Sequence, residues 1–165
     1  MIYLKKAESV EEVEPILKAP ELFDRIAEDG ISSDDYEIAF DGHQRYMMIM
    51  RDDMAIGVWN LYPVNSVTLN IHCNILEQYR DHGKEAGRLI LKWFVNECPK
   101  QYQKLNAEIP VIYPEVYHFT KNFGFVDEGV NRKSIKKDGV LVDQYRLGTT
   151  MDEVKEFIGA ANEQD

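Results

Sequence analysis

A chain of 165 residues, 44% hydrophobic and 29% charged, has the size and balance of one folded domain with a substantial core. The formal net charge is −10, and the acids crowded between Glu11 and Asp41 argue against nucleic-acid binding through that region. No apolar run approaches the roughly 20 residues of a membrane span.

MIYLKKAESV lacks the apolar middle of a signal peptide, and Cys73 and Cys98 show neither CxxC nor Cys/His metal spacing. The expectation is a cytoplasmic protein with two reduced thiols. With no internal repeat, low-complexity tract or linker, 1–165 reads as a single domain with a flexible tail over 159–165. Charge is uneven: from Glu11 to Asp41 eleven acids face only Lys18 and Arg25. That segment reads either as a solvated, solubilising face or as a wall that attracts a cationic partner.

In chain order, Ile2 to Ala7 reads as a strand. Ser9 with Glu12 has capping-box spacing at the start of a helix bearing Val10, Val13 and Leu17, which Pro15 makes irregular or delays. Glu21 to Glu28 is a second helical piece, and Ser33-Asp34-Asp35 a turn. Arg45 to Arg51 and Met54 to Leu61 form a hairpin about Asp52-Asp53, and the chain crosses Tyr62-Pro63-Val64-Asn65 into a central strand. Val67, Leu69 and Ile71 alternate there with Thr68, Asn70 and His72. Ala86, Leu89, Ile90, Trp93 and Phe94 then give a helix with one apolar stripe. Lys104 to Val111 is a further strand and Pro114 to Asn122 a helix. Val126 to Ile135 and Val140 to Leu147 flank the hairpin signal Lys137-Asp138-Gly139, and Thr150 with Glu153 caps a last helix.

Between the central strand and its helix lie Arg80, His82, Lys84 and Arg88, basic groups beside a helix N-terminus and so suited to an anion. The segment ILEQYRDHGKEAGR resembles the acyl-CoA-binding motif of the GNAT superfamily of N-acyltransferases, Arg/Gln-x-x-Gly-x-Gly/Ala after a central strand. Arg80 and Gly83 match it, the last position is Glu85, and Ala86 follows one residue late. HFTKNFGFVDEG is similar to the family's helix, Gly-Phe, strand signature, with Gly124 ending the helix and Phe125 entering the core, and KKDGVLVDQYRLG to its closing hairpin.

The resemblance implies an α/β (α+β) GNAT fold. Its mixed, mostly antiparallel sheet has six to seven strands flanked by helices, in the order β-α-α-β-β-β-α-β-α-β-β. It implies acetyl-CoA as cosubstrate, held by Ile75, Arg80, Asp81, His82, Gly83, Lys84, Glu85, Ala86 and Arg88. It also implies direct transfer of an acetyl group to a primary amine, aligned by the enzyme and helped by a base and an acid. The family's acid, often a Tyr four residues before the Gly of Gly-Phe, falls here on Thr120, so Tyr117 on the same helix is the substitute. For the base the central strand offers His72, with Asn74 on the same face, and Glu77 and Glu108 are further candidates. The catalytic candidates are thus His72, Tyr117 and Glu108. His43 carries no signal. The acceptor is expected to be a cationic small molecule or a basic protein, and the enzyme a monomer or homodimer.

No GxGxxG, Walker, HExxH, GxSxG or metal-loop pattern points to other chemistry. The rival expectation is a GNAT-shaped binding, regulatory or virion-associated protein that has lost catalysis. The sequence is similar in style to small bacteriophage proteins of that shape, and Glu85 and Thr120 are the departures that favour the rival.

Overall fold

The computed structural model describes residues 1–162. Its elements are β1 (Ile2–Lys6), α1 (Val10–Leu17), α2 (Pro20–Ile26), β2 (Arg45–Arg51), β3 (Met54–Pro63), β4 (Thr68–Ile75), a 3-10 helix (Glu77–His82), α3 (Gly83–Asn96), β5 (Lys104–Pro110), α4 (Pro114–Lys121), β6 (Val126–Lys137), β7 (Val140–Thr150) and α5 (Met151–Asn162). The sheet order is β1-β2-β3-β4-β5-β7-β6, seven strands, the upper of the two expected counts. The β1/β2, β2/β3, β5/β7 and β6/β7 pairs are antiparallel, whereas β4 and β5 run parallel with Leu69 in register with Leu105. The fold is α/β, with a mixed, mostly antiparallel sheet.

The chain forms two compact units, residues 1–62 with 71–90 and residues 63–70 with 91 onward. In the first, α1 buries Val13, Ile16 and Leu17 at i, i+3 and i+4, joined by Leu22 of α2 and by Tyr46, Met48 and Val58 of the β2/β3 hairpin. Each such side chain contributes about 1.5–3 kcal/mol of transfer free energy on burial. Pro15 lies inside α1, where the missing N–H removes one intrahelical bond. The capping box expected at Ser9 is half formed. Ser9 is the N-cap residue and its side chain makes no cap bond, but the Glu12 carboxylate, besides accepting from the N–H of Glu8 and the ammonium of Lys5, also meets the backbone N–H of Ser9. Asp52, at φ 53°, turns the hairpin.

β3 continues through Tyr62 to Pro63, beyond the Leu61 end expected from sequence. The second unit begins there, with Asn65 Oδ1 accepting from the N–H groups of Val67 and Thr68 at 3.0 and 2.9 Å to make the turn into β4. Leu105, Ala107 and Ile109 alternate inward along β5, and Phe123, Phe125, Leu147 and Val154 are also buried. Gly124 sits at φ 81° between α4 and Phe125, and an added Cβ there would lie 3.4 Å from the Phe157 ring. At the other capping signature the box does close: Thr150 Oγ1 accepts from Glu153 N–H at 3.3 Å, and the Glu153 carboxylate accepts from Thr150 N–H at 2.7 Å. α5 runs through Asn162, into the tail expected from Gly159, and residues 163–165 lie outside the described residues.

The buried stripe of α3 differs from the expected one. Ala86, Ile90, Leu91 and Phe94 are buried, whereas Leu89 and Trp93 are half-buried, so the stripe is rotated by about one position. Among the described residues no helix is long and apolar enough to cross a membrane.

Candidate active site

The N-terminus of α3 is set in place by what precedes it. Leu76 donates its N–H to Ile56 O at 3.0 Å, tying the end of β4 to β3. The 3-10 helix is then pinned by Tyr79, whose ring lies 6.0 Å from the Arg51 guanidinium carbon and whose hydroxyl reaches Met54 Sδ at 3.7 Å. Gly57 makes the close approach possible, because a Cβ there would lie 2.6 Å from Asn74 O and 3.1 Å from Ile75 Cα.

α3 opens at Gly83, whose N–H bonds to Arg80 O. Gly83, Ala86 and Gly87 are all buried, at i, i+3 and i+4 of the first turn. The backbone at this helix start is therefore lined by small residues on one side. Gly87 was not singled out in the sequence, although its spacing from Gly83 carried the signal. Ile75 is buried at the end of β4. Arg80, Asp81, Lys84, Glu85 and Arg88 are exposed and His82 is half-buried. The Arg80 guanidinium is 3.7 Å from Glu77, and the Glu85 carboxylate reaches back to within 3.9 Å of His82 Nδ1, on the exposed side of the helix. The helix start carries the positive end of its dipole, and although Arg80 O takes the Gly83 N–H, the three cations exposed beside Asp81 and Glu85 give this turn the means to meet a multiply charged anion.

On β4, His72 is half-buried beside Tyr62 of β3. The Tyr62 hydroxyl is 3.2 Å from His72 Nε2, and the two rings are nearly parallel, 8° apart with centroids 5.6 Å from each other. Burial holds the imidazole below its ordinary pKa, so it is neutral at neutral pH. Next to it, desolvation pushes the Cys73 thiol up, which leaves it a protonated, unreactive group. Asn60, two residues before Tyr62 and so on the same face of β3, has its side-chain oxygen buried with no hydrogen-bond partner among the described residues. The segment between α2 and β2 contributes more aromatic groups to this unit. Tyr46 stacks on Phe40 at 5.7 Å and donates to Ala39 O at 3.0 Å. Burial pushes the Tyr46 phenol up to about 12. Tyr36 is raised first by burial and then by the neighbouring Tyr62.

In the second unit the other candidates have close partners. Glu108 faces Arg146 across the β5/β7 pair, 3.3 Å from its Nε. Tyr117 on α4 donates to Asp127, shared between carboxylate oxygens at 2.9 and 3.0 Å, and packs on Tyr145 with centroids 4.6 Å apart. The bond to Asp127 raises the Tyr117 phenol above its ordinary value. Lys121 grips the same carboxylate at 2.7 Å, and Asp127 is held low by Lys121 first and Tyr117 second. Thr120 gives its hydroxyl to Val116 O at 2.9 Å, inside the helix. Of the sequence-derived candidates, the structure thus joins His72 to Tyr62, Glu108 to Arg146 and Tyr117 to Asp127.

No family model matches the sequence, and no curated protein sequence matches it significantly. Solved structures do match. The spermidine N-acetyltransferase of Vibrio cholerae in complex with CoA and spermine superposes with a TM-score of 0.78 at 16% identity, over 93% of this chain and 98% of that one. The spermidine/spermine N-acetyltransferase SpeG of Vibrio cholerae in complex with manganese ions gives 0.72 at 15% identity, over 94% and 95%. The smu.2055 protein of Streptococcus mutans gives 0.71 at 18% identity, over 90% and 98%. With its strand order and the helix following β4, the chain has the fold of the GNAT N-acetyltransferases.

Proposed function

We propose that the protein is an acetyl-CoA-dependent N-acetyltransferase acting on a cationic primary amine. The observation that carries this reading is the α3 N-terminus, where Gly83, Ala86 and Gly87 are buried while Arg80, Lys84 and Arg88 are exposed around it. These residues fit the pyrophosphate of CoA. Backbone N–H groups of the first turn after Gly83, whose own N–H goes to Arg80 O, would bind its oxygens, Arg80 would add a charged fork, and Lys84 and Arg88 would meet outer phosphates. Ile75, Asp81 and His82 border the same turn. Glu85 takes the exposed side of the helix and leaves the small residues in place, so the departure from the motif is compatible with binding.

When bound, acetyl-CoA supplies an activated thioester carbonyl. The chain's own task is to align the amine, remove its proton and favour the charge that develops on the carbonyl oxygen. His72 is the base in this reading, because its imidazole is already neutral at neutral pH and its Nε2 lies in a polar contact rather than an ion pair. Glu108 and Tyr117 are bound to Arg146 and Asp127 and serve instead to hold β5, β7 and α4. The acidic stretch from Glu11 to Asp41 favours a cationic acceptor. One structural neighbour is a spermidine N-acetyltransferase, named for a cationic amine, which is consistent with the choice.

The test is acetyl transfer from acetyl-CoA to a panel of alkylamines, diamines, polyamines and lysine-bearing peptides, read by mass spectrometry of the acceptor and release of free thiol. Transfer to at least one cationic amine, slowed by about tenfold or more in Arg80→Ala at subsaturating acetyl-CoA, supports the reading. Absence of transfer and of acetyl-CoA binding would leave the non-catalytic, partner-binding reading in its place.

A further inference from the structure

The contact between Tyr62 and His72 places a phenol at the basic nitrogen of the imidazole. A phenol is a stronger hydrogen-bond donor than a neutral imidazole N–H, and an imidazole nitrogen a stronger acceptor than a phenol oxygen. In the 3.2 Å contact the favoured arrangement is therefore Tyr62 O–H donating to Nε2, with the ring proton of His72 on Nδ1. That arrangement occupies the lone pair of Nε2. A substrate amine reaching the pair from the Tyr62 side meets the Tyr62 oxygen before it meets the imidazole. The two rings lie within 8° of parallel with centroids 5.6 Å apart, an orientation that lets the hydroxyl meet the imidazole edge at Nε2.

Tyr62 is also the better supplied of the two with neighbours of use to a cation. It is half-buried at the end of β3, with Tyr36 in its neighbourhood. Aromatic faces attract alkylammonium groups. Asn60, on the same face of the strand, carries a side-chain oxygen without a partner among the described residues, an acceptor suited to an ammonium N–H.

We infer that Tyr62 is a catalytic residue: it receives the acceptor amine at its hydroxyl and relays the amine's proton to His72. The inference rests on the proposed acetyltransferase reading. The proton leaves the ammonium nitrogen for the Tyr62 oxygen as the phenolic proton moves to Nε2, giving a neutral amine and an imidazolium. The amine lone pair then forms the C–N bond to the thioester carbonyl carbon as the C–S bond breaks towards sulfur. The proton shed by the new amide nitrogen goes to the departing thiolate, and the imidazolium returns its proton through Tyr62 to solvent. One proton is released per turnover and no other reactant is needed.

The experiment compares wild type with Tyr62→Phe, which keeps the stacking ring and removes the relay. Nitrogen-15 spectra of the His72 ring in the wild type are expected to show the proton on Nδ1 and Nε2 as acceptor, with the Nε2 resonance shifted in Tyr62→Phe. Turnover of Tyr62→Phe is expected to fall by about 100-fold, the lower range for a positioned acid or base, with acetyl-CoA affinity unchanged. A proton on Nε2 in the wild type, or a Tyr62→Phe rate within about threefold of wild type, well below that range, overturns the relay. A wild type that binds no acetyl-CoA instead fails the acetyltransferase reading itself, and calorimetry on the wild type separates the two failures.

Discussion

Tyr117 shares its hydroxyl hydrogen between the two carboxylate oxygens of Asp127, and the Lys121 ammonium holds that carboxylate from another side. The Tyr at this helix is therefore a committed donor, raised in pKa by the same bond. Tyr117→Phe is expected to change turnover by less than about threefold, far from the 10²–10⁴ of a positioned acid. Steady-state rates at saturating acetyl-CoA check this, and a loss of about 100-fold or more would restore Tyr117 as the acid.

Asp127 gives a pH signature for stability. Its folded pKa lies below the ordinary 3.8, so its bonds to Lys121 and Tyr117 stabilise the fold fully above that value and are lost as pH falls through the folded value. Asp127→Asn should flatten the acid limb of a Tm–pH curve below 3.8 and lower Tm at neutral pH. An acid limb unchanged by the substitution would remove Asp127 from the account.

His72 carries a signature in the next window. Burial lowers its folded value below 6.5, so the unfolded chain binds the proton first as pH falls. Stability is fully present above 6.5 and declines as pH falls through the folded value. His72→Gln should remove that part of the decline. In activity, the acid limb of kcat should have its midpoint below 6.5 and should disappear with the residue; a midpoint above 6.5 would contradict the assignment.

Two glycines test what positions the site. Gly57→Ala places a methyl 2.6 Å from Asn74 O, backbone that cannot swing away. Destabilisation by about 1–3 kcal/mol is expected, with weakened acetyl-CoA binding because the end of β4 must shift. Gly124→Ala is strained by its φ of 81°, and about 1–2 kcal/mol is expected without an effect on acetyl-CoA affinity. Urea unfolding and calorimetry on both variants separate the two outcomes.

Much of this was legible in the chain. Arg45–Arg51 was bounded correctly because an apolar run meets Asp52-Asp53, and the order of elements followed from changes of period and from Gly-Phe after α4. The two capping signatures show where local reading stops. Thr150 and Glu153 close both halves of their box, whereas at Ser9 the carboxylate of Glu12 divides itself among the Ser9 N–H, Lys5 of β1 and Glu8, a tertiary competition that spacing does not reveal. Tyr62 reads in the sequence as part of the crossing Tyr62-Pro63-Val64-Asn65, yet β3 keeps its alternation through Val58, Asn60 and Tyr62. That alternation was the missed signal for the residue that meets His72. The partners of Tyr117 and Glu108 lie on β6 and β7, too far along the chain for any local pattern to pair them.

The central claim is that the N-terminus of α3 binds acyl-CoA, and calorimetric titration of acetyl-CoA into wild type and Arg80→Ala tests it most directly. The account predicts micromolar binding that weakens by about tenfold or more in Arg80→Ala, the worth of a charge-assisted contact to phosphate. An absence of binding at millimolar acetyl-CoA, or an affinity indifferent to Arg80→Ala, would contradict it.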